Sequence, residues 1–330
     1  MKIAIIGAGL AGMTTAQQLV QENIEVDVFE KSRGLGGRLA TKRLEWAHID
    51  TGAQYFTARN EAFQKQVDQW IEDRVVAPWH FSPYKVIDEE LRPSSDNIVR
   101  YVGCPGMSSI VGALARGINV HLNTLIVSVD KREEKWQLQS QKGERYLDYD
   151  WIITSLPAEQ TASLFTTEHE SLLNIPASPH LPCWALALAT NGSVDAQIQG
   201  IFGDKVVSWA SRLSSRPPMK DLDNLHHDYN DLWMLHFSPS WSLENHKETD
   251  TDIVATGLHW LQNLLQTSLT LKYEHRHYWR YASVKPEANA GICINHDMKI
   301  AAIGAWCCGG RVEGAYLSAM ELLNNIIYPN

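Results

Sequence analysis

The stretch that decides the fold is Lys2–Glu30, with the sequence KIAIIGAGLAGMTTAQQLVQENIEVDVFE. Its first apolar run, Ile3–Ile6, predicts a short buried strand because it stops at a glycine-rich turn. Met13–Val20 has a composition typical of a helix, and Glu25–Phe29 is a second apolar run. Strand, turn, helix and strand together have the length of about thirty residues expected of a parallel βαβ unit. We therefore expect this stretch to open a doubly wound α/β sheet.

The turn has glycines at the GxGxxG spacing of a dinucleotide-binding motif. Gly7 allows a tight turn, Gly9 lets the backbone approach a pyrophosphate, and Gly12 packs the helix on the strand. The first helical residues, Leu10 and Ala11, bring free N–H groups that favour an anion. The turn therefore predicts a phosphate-binding site.

Glu30 ends the second strand, eighteen residues after Gly12. Its carboxylate can accept hydrogen bonds from both hydroxyls of a ribose, each worth about 1.5–3 kcal/mol because the acceptor is charged. The same charge would repel a 2′-phosphate, which argues against NADP as the ligand of this pocket. The alternative interpretation is a glycine turn followed by an incidental acid.

The residues after Glu30 indicate which dinucleotide is bound. Lys31 is followed by Arg33, and Gly37 and Arg38 complete an Arg-x-x-Gly-Gly-Arg motif. The two guanidinium groups would lie beside a second phosphate and an extended ribityl chain, and Arg38 could clamp a pyrophosphate oxygen. This motif resembles the second motif of the flavin-containing amine oxidase superfamily, which NAD dehydrogenases lack. The alternative is a flexible basic loop.

Further segments resemble one branch of that superfamily, the bacterial renalase-like proteins. They are Asp50–Arg59 (DTGAQYFTAR), Gly103–Met107 (GCPGM) and Gly304–Ala315 (GAWCCGGRVEGA), with shorter likenesses around Trp209, Trp233, Trp241 and Trp279. The resemblance implies a Rossmann-type FAD-binding domain with an inserted α+β substrate domain, an architecture similar to that of p-hydroxybenzoate hydroxylase. We assign residues 1–60, 98–160 and 286–330 to the FAD-binding domain and residues 61–97 and 161–285 to the substrate domain.

Local patterns along the rest of the chain agree with this division. Further strands are predicted at Leu125–Val129, Trp136–Gln139, Trp151–Thr154, Leu232–Phe237, His275–Tyr281 and Ile300–Ile303, and helices at Ile253–Leu265 and Glu313–Ile327. Ser214–Asp231 is predicted to be a long exposed loop. Its His226-His227-Asp228 run is a weak metal candidate, and we expect no metal.

By the same resemblance, non-covalent FAD would contact residues from both ends of the chain. These are Gly7, Gly9, Leu10, Ala11, Gly12, Glu30, Lys31, Arg33, Gly37, Arg38, Gln54, Tyr55, Gly304, Arg311, Val312, Glu313 and Ala315. Val312 would open a helix under the pyrimidine end of the flavin, where a helix dipole favours negative charge. Family members usually have Gly-Asp where this chain has Gly304-Ala305, which puts one hydrogen bond in doubt. Cys307 and Cys308 do not match the motif that tethers FAD in monoamine oxidases.

Composition limits the class of partner. With 330 residues, two domains are expected. A net charge of −9 disfavours nucleic acid and anionic membranes. There is no apolar stretch of the ~20 residues that span a bilayer, no leader-like start, and no regular spacing among the five cysteines. We expect a cytoplasmic protein that is a monomer or a weak dimer.

The resemblance also implies a reaction: oxidation of the 2- or 6-dihydro isomers of NAD(P)H to NAD(P)⁺, with hydride transfer to flavin N5 and reoxidation by O₂ to hydrogen peroxide. Such a substrate needs no general base, because losing the hydride restores an aromatic ring, so the pocket has only to stack and orient it. The expected substrate pocket consists of Tyr55, Trp209, Arg212, His236, Trp241, Trp279 and Tyr281. For each aromatic residue the competing interpretation is a core position, and for Arg212 a solvated one.

Three alternatives stay open. An amine or amino-acid oxidase would set a lysine beside flavin N5, and Lys285 is the candidate near the C-terminal aromatic cluster. A non-redox flavin mutase would need its flavin kept reduced. A protein that carries FAD without turnover would produce no peroxide with any donor.

Overall fold

The computed structural model describes residues 1–165, 173–177, 179–217, 228–247, 250–285 and 290–327. Its strands are β1 (Lys2–Ile6), β2 (Glu25–Phe29), β3 (Thr41–Arg43), β4 (His48–Asp50), β5 (Val76–Trp79), β6 (Tyr84–Ile87), β7 (Glu90–Pro93), β8 (Arg100–Gly103), β9 (Asn119–His121), β10 (Ile126–Arg132), β11 (Lys135–Ser140), β12 (Arg145–Tyr149), β13 (Trp151–Thr154), β14 (His180–Asn191), β15 (Gly200–Phe202), β16 (Val207–Arg212), β17 (Asp231–Phe237), β18 (Thr270–Val284), β19 (Cys293–Asn295) and β20 (Ile300–Ala302). The helices are α1 (Leu10–Gln21), α2 (Glu61–Glu72), α3 (Ser108–Leu114), α4 (Ala158–Ala162), α5 (Pro239–Glu244), α6 (Asp250–Leu265) and α7 (Val312–Ile327), and short 3₁₀ turns cover Gly37–Leu39, Leu213–Ser215 and Ala305–Cys307. None of the described helices combines the length and apolar character needed to cross a membrane.

β1 lies inside a six-stranded sheet with the order β19–β20–β13–β1–β2–β9. It pairs in parallel with β2 and β13, and β13 pairs in parallel with β20, so both ends of the chain share one sheet. Ile3, Ala4, Ile5 and Ile6 are all buried. A strand that is covered on both faces reads as a continuous apolar run, as this one does. The α/β fold class predicted from Lys2–Glu30 is confirmed.

Different layers cover the two faces of this sheet. Ile3 and Ile5 pack in one core with α1, α3 and α7, whereas Ala4 and Ile6 pack in a second core with Trp136 of the small β10–β11–β12 sheet. Burying each isoleucine stabilises the fold by roughly 1.5–3 kcal/mol. The carboxyl ends of β1 and β2 are thereby held rigidly at the edge where the glycine turn begins.

A second, seven-stranded sheet has the order β18–β14–β17–β16–β15–β6–β7. Its neighbours are antiparallel except for β15 and β6, which are parallel. Leu186, Leu188 and Trp233 on one face pack against α6, which contributes Ile253 and Leu261. This is the inserted α+β unit that the aromatic strand segments predicted.

The other face of the second sheet packs against the first domain. Ala185, Ala187 and Met234 form a core there with Ala47 and Ile49 of the β3–β4 hairpin. Since alternate residues of a strand point to opposite faces, the alanines of β14 and the leucines between them serve different cores. The hairpin therefore brings the first domain against β14, β17 and β18.

The expected boundary at residue 61 differs from the observed packing. Phe63, Val67 and Trp70 form one apolar stripe of α2, and this stripe lies in the core of the first domain, where the ring centres of Phe63 and Tyr316 of α7 are 5.2 Å apart. β5 pairs with β8, which also belongs to the first domain. Of the segment 61–97, β6 and β7 join the seven-stranded sheet.

Candidate dinucleotide and substrate site

A cavity of about 1480 Å³ lies between the two domains. Single small-molecule sites have volumes of roughly 300–1,000 Å³, so this one has room for a large ligand and a second molecule. The predicted cofactor residues that line it are Gly7, Gly9, Leu10, Ala11, Glu30, Lys31, Arg33, Gly37, Arg38, Tyr55, Gly304, Arg311, Val312 and Ala315. The structure thus brings the glycine turn near the N-terminus and the start of α7 to one cavity.

The glycine turn leaves the start of α1 open toward this cavity. Gly9 precedes α1 and no side chain caps the helix. A Cβ added at Gly9 would meet no atom within 4 Å, whereas one added at Gly12 would lie 2.2 Å from the Gly7 carbonyl oxygen. Gly12 therefore serves close packing inside the protein, and Gly9 leaves free space next to uncapped N–H groups, where an anion is favoured.

Glu30 is held by the backbone on both sides of its carboxylate. Oε2 accepts a hydrogen bond from the Ala8 N–H at 3.0 Å, and Oε1 accepts one from the Ser32 N–H at 2.8 Å. The residue is 7% exposed, and that exposure is to the cavity. Each carboxylate oxygen has a further lone pair, so both can still accept hydrogen bonds from ribose hydroxyls.

Arg38 is a half-buried cation with no carboxylate within 4.0 Å among the described residues. Its Nη1 donates to the carbonyl oxygen of Ala282 at 3.2 Å. Burial lowers the pKa of Arg38, and the charge of Glu159 partly offsets this. Since a cation that is partly removed from water and has no counter-ion favours an opposite charge, the site is suited to an anion such as a pyrophosphate.

Asp50 anchors the segment that runs past the cavity, a role that no local sequence pattern indicated. It accepts hydrogen bonds from Thr41 Oγ1 at 2.5 Å and from the Met107 N–H at 3.2 Å. Arg216 of the second domain forms a 2.7 Å ion pair with it, and both side chains are 2% exposed. Asp50 thereby ties β4, the Gly103–Met107 loop and the second domain together.

Gln54 lies beside the cavity without lining it. Its amide nitrogen donates to the carbonyl oxygens of Asp50 and Gly52, and its Oε1 accepts a 2.9 Å hydrogen bond from Ser211 Oγ. Its amide therefore fixes the turn at Gly52 and links it to β16. The predicted contact with the cofactor stays a prediction.

His236 and Trp279 converge on one atom of the same turn. His236 Nε2 and Trp279 Nε1 lie 3.0 and 2.9 Å from the carbonyl oxygen of Thr51, and both residues line the cavity. Burial lowers the pKa of His236 to about 4, so the ring is neutral at pH 7 and donates from Nε2. The two rings fasten Thr51 to the second sheet.

The depressed pKa of His236 predicts a loss of stability in acid. The unfolded state binds more protons than the folded state between the ordinary histidine pKa of about 6.5 and the folded pKa of about 4, so stability falls as the pH drops through that window, by up to roughly 3 kcal/mol from this residue. We expect the melting temperature of His236→Gln apoprotein to fall less between pH 7 and pH 4 than that of the wild type. The exposed His259→Gln should behave as the wild type. Equal losses for wild type and His236→Gln would contradict the assignment.

Aromatic side chains form part of the cavity wall. Tyr55, Trp279 and Tyr281, which were predicted to form the substrate pocket, line the cavity. Phe202 and Phe237, which were not predicted, line it as well. The guanidinium of Arg100 lies 5.3 Å from the centre of the Tyr55 ring and is itself held by a 2.6 Å ion pair with Asp96. Trp209 packs edge-on against Tyr55 at 5.3 Å, so it supports this wall from behind.

Other predicted site residues lie outside the cavity lining. Arg212, expected to grip substrate, forms a 2.5 Å ion pair with Asp231. Trp241 stacks on Phe237 at 4.3 Å from helix α5. Glu313, expected to contact the cofactor, accepts hydrogen bonds from the N–H groups of Arg59 and Asn60, both at 2.7 Å.

Two further expectations concern residues near the end of the chain. Cys307 and Cys308 are free thiols outside the cavity lining, and Lys285, the lysine of the amine oxidase alternative, is outside it as well. The described residues bring no three metal-ligating side chains together. His226 and His227 lie outside the described residues.

The charge of the cavity wall is opposite to that of the whole protein. The protein has a net charge of −9, yet the described residues lining the cavity include one carboxylate, Glu30, and nine cations. The cations are Lys31, Arg33, Arg38, Lys42, Arg43, Arg59, Arg100, Arg280 and Arg311. The predicted site set did not include Lys42 or the lining histidines His275 and His277. The sequence pattern that could have identified the two histidines is the run His275-Arg276-His277 within a predicted strand, where alternate residues share one face.

Comparisons with known proteins agree with this geometry. A family model described as an NAD(P)-binding Rossmann-like domain matches residues 5–70. Among solved structures, a protein assigned as a protoporphyrinogen oxidase from Exiguobacterium sp. 255-15 aligns with a TM-score of 0.76 and 11% identity, over 98% of both chains. A putrescine oxidase bound to putrescine aligns with a TM-score of 0.73 and 12% identity, over 99% of both chains. These likenesses show that the chain has the flavin amine oxidase fold.

Curated relatives match mainly in part of the chain. Zeta-carotene desaturase of Capsicum annuum is 31% identical over 128 residues, which are 38% of this chain and 20% of that protein. A 4,4'-diapophytoene desaturase of Staphylococcus aureus (strain Newman) is 26% identical over 116 residues, 29% of this chain and 23% of that protein. The match thus spans about a fifth of the length of these relatives.

Proposed function

We propose that this chain is an FAD-dependent oxidoreductase of the amine oxidase and desaturase superfamily. Three observations support it: the Rossmann-like match over residues 5–70, the fold shared over the whole chain with two oxidases, and a cavity suited to a dinucleotide. Glu30 would bind the ribose hydroxyls, and Arg38 with the start of α1 would bind the pyrophosphate. The start of α7, at Val312, would lie toward the pyrimidine end of the flavin. Bound FAD supplies a hydride acceptor that O₂ can reoxidise, with hydrogen peroxide as the product.

The substrate that fits best is an anionic dihydronicotinamide dinucleotide, the 2- or 6-dihydro isomer of NAD(P)H. The observation that carries this choice is the charge of the cavity wall. Apart from the cations assigned to the cofactor and Arg100, which pairs with Asp96, the described lining keeps four cations, and its one carboxylate is Glu30. The four cations are Lys42, Arg43, Arg59 and Arg280. Tyr55, Trp279 and Tyr281 provide flat apolar surface for a nicotinamide ring. His236 is neutral and engaged with Thr51, so it orients the wall rather than removing a proton. A substrate that becomes aromatic on losing a hydride needs no such base.

The same wall disfavours an amine oxidase. An ammonium group about 8 Å from one cation is repelled by roughly 2 kcal/mol at an effective dielectric constant near 20, and several cations face this cavity. A protonated diamine would enter with two such charges. Lys285, the lysine that this alternative requires, is not part of the lining.

Anaerobic titration of the FAD-loaded protein tests the substrate. We expect the 2- or the 6-dihydro isomer of NADH to bleach the visible absorption of the flavin, and putrescine at the same concentrations to leave it unchanged. Air should restore the colour and release peroxide in proportion to the flavin reduced. Flavin that stays oxidised with both isomers would refute the proposed substrate, and bleaching by putrescine would favour an amine oxidase. Turnover that needs prior flavin reduction but no net oxidant would indicate a mutase.

A further inference from the structure

We propose that Lys42, His275 and His277 form an anion subsite that binds a phosphate group of the dinucleotide substrate. The subsite is distinct from the Glu30 and Arg38 positions assigned to the cofactor. The inference rests on the proposed function for the source of the phosphate, and on the structure for the subsite itself.

The subsite is built from two elements that face each other across the cavity. Lys42 lies on β3 of the first domain, and His275 and His277 lie on β18 of the second, and all three line the cavity. The two histidines share one face of β18 with Trp279, because alternate strand residues point the same way. Their neighbours across the ladder on β14 are Ala187 and Ala185. Both alanines are fully buried under Ala47 and Ile49 of the β3–β4 hairpin, which brings β3, the strand of Lys42, against this part of the second sheet.

The subsite continues directly from the wall where a nicotinamide ring would stack. Trp279 contacts Thr51, beside the turn that passes the cofactor site, and its ring lies 4.4 Å from that of His277. At about 3.3 Å per residue, His277 is roughly 7 Å and His275 roughly 13 Å farther along β18. An extended substrate stacked near Trp279 therefore runs along the strand toward both histidines.

The cations of the subsite are not neutralised by nearby acids. Within the described ranges, neither Lys42 nor Arg33 has a carboxylate within 4.0 Å. Burial and, secondly, the charge of Arg33 lower the pKa of Lys42. Arg276 points to the opposite face of β18, where Glu274 lies 3.4 Å away. A lysine without a carboxylate partner, whose pKa is already lowered by the charge of Arg33, favours an anion beside it.

Binding of an anion in the subsite is expected to raise the pKa of both histidines. His275 Nε2 is buried and makes no hydrogen bond within the described residues. Burial and the charge of Lys42 lower the pKa of both rings, that of His277 to about 4. The charged groups that act on them are Lys42 from β3 and Arg276 from β18, while β14 presents alanines. A phosphate dianion in the subsite would favour the protonated rings, so binding should tighten as the pH falls from 8 to 6.

Equilibrium binding to the FAD-loaded protein tests the subsite without turnover. The probes are NAD⁺, NADP⁺ and nicotinamide riboside, which has no phosphate, with binding followed by tryptophan fluorescence. Lys42→Ala should weaken dinucleotide binding by roughly ten- to a hundredfold, the effect of one charge-assisted hydrogen bond. Lys42→Arg should restore most of the affinity, and nicotinamide riboside should bind equally to all variants. The matched control is Lys272→Ala. Lys272 lies on β18, the strand of the two histidines, but it is outside the cavity lining and pairs with Asp228 at 3.5 Å.

The outcomes separate this inference from the proposed function. Weakened binding of both NAD⁺ and NADP⁺ would place the shared pyrophosphate in the subsite, and weakened binding of NADP⁺ alone would place the 2′-phosphate there. Unchanged affinity for both, or a loss of FAD instead, would overturn the subsite while leaving the reaction intact. If the dihydro isomers fail to reduce the flavin but Lys42→Ala still weakens NAD⁺ binding, the reaction is wrong and the subsite stands. Equal affinities at pH 8 and pH 6 would refute the role of the histidines.

Discussion

Replacing Arg38 by methionine is expected to lower the affinity for FAD by about a hundredfold or more. The guanidinium is half-buried, lines the cavity and has no close carboxylate among the described residues, so a bound pyrophosphate would bury it further and be its main counter-ion. Removing one partner of a buried charge pair costs about 2–5 kcal/mol, and 1.4 kcal/mol corresponds to tenfold in affinity. Titration of apoprotein with FAD, followed by flavin fluorescence, measures the change. Arg145→Met, at an exposed position on β12, should bind FAD like the wild type.

The same variant separates ligand binding from folding. Without a counter-ion the half-buried guanidinium contributes little to the stability of the apoprotein, so Arg38→Met apoprotein should melt at the same or a higher temperature than wild-type apoprotein. The rise in melting temperature on adding FAD should shrink, because a ligand stabilises in proportion to the logarithm of its concentration over Kd. Wild-type affinity for FAD in Arg38→Met would show that Arg38 does not contact the cofactor.

Alanine at Gly12 and at Gly9 should produce opposite defects. At Gly12 the new Cβ would lie 2.2 Å from the Gly7 carbonyl oxygen and 2.7 Å from Ser155 Oγ, so backbone must move. Overpacking of this kind costs about 1–3 kcal/mol or more, and we expect a clear fall in the melting temperature of the apoprotein. At Gly9 the Cβ meets no atom and the backbone has an ordinary φ of −84°. Gly9→Ala apoprotein should therefore keep its stability and lose FAD affinity, because the methyl group occupies the space beside the start of α1.

Gly112→Ala is the control for this pair. Gly112 lies inside α3, where an added Cβ meets nothing within 4 Å, and alanine favours a helix over glycine by about 1 kcal/mol. Its apoprotein should melt at the wild-type temperature or above, with FAD affinity unchanged. If Gly9→Ala lowers apoprotein stability as much as Gly12→Ala, the two glycines do not divide the roles in this way.

The parts of the site that were predictable from sequence are those encoded locally. Gly7, Gly12 and Glu30 belong to one βαβ unit, whose geometry follows from about thirty consecutive residues. Arg38 follows in the same motif, and the structure places it in the same cavity. The start of α7 was predicted to within one residue by the local pattern, and its role at the cofactor by family likeness. Its position at the cavity depends on β20 pairing with β13.

The remaining parts depend on pairings between distant segments. The ion pair of Asp50 with Arg216 and the facing positions of Lys42 and His277 join residues from different domains, and no local pattern encodes them. Arg212 illustrates the same limit. From the sequence it was expected to bind substrate, but in the fold it forms a 2.5 Å ion pair with Asp231 of β17. Helix α2 was assigned to the wrong side of the domain boundary because an apolar stripe does not say which core it will join.

The sharing of one sheet by the first and last strands has a consequence for synthesis of the protein. One edge of β1 has no partner until β13 has been synthesised, and β13 in turn pairs with β20. Only then can α7 pack in the core beside α1. Such contacts between remote segments slow folding and leave apolar surface uncovered until they form. A nascent chain still attached to the ribosome short of residue 300 lacks the strand that completes this sheet. Binding of the cofactor is therefore expected only after β20 and α7 have joined this sheet, and chaperones that hold unfinished chains should raise the yield of FAD-loaded protein.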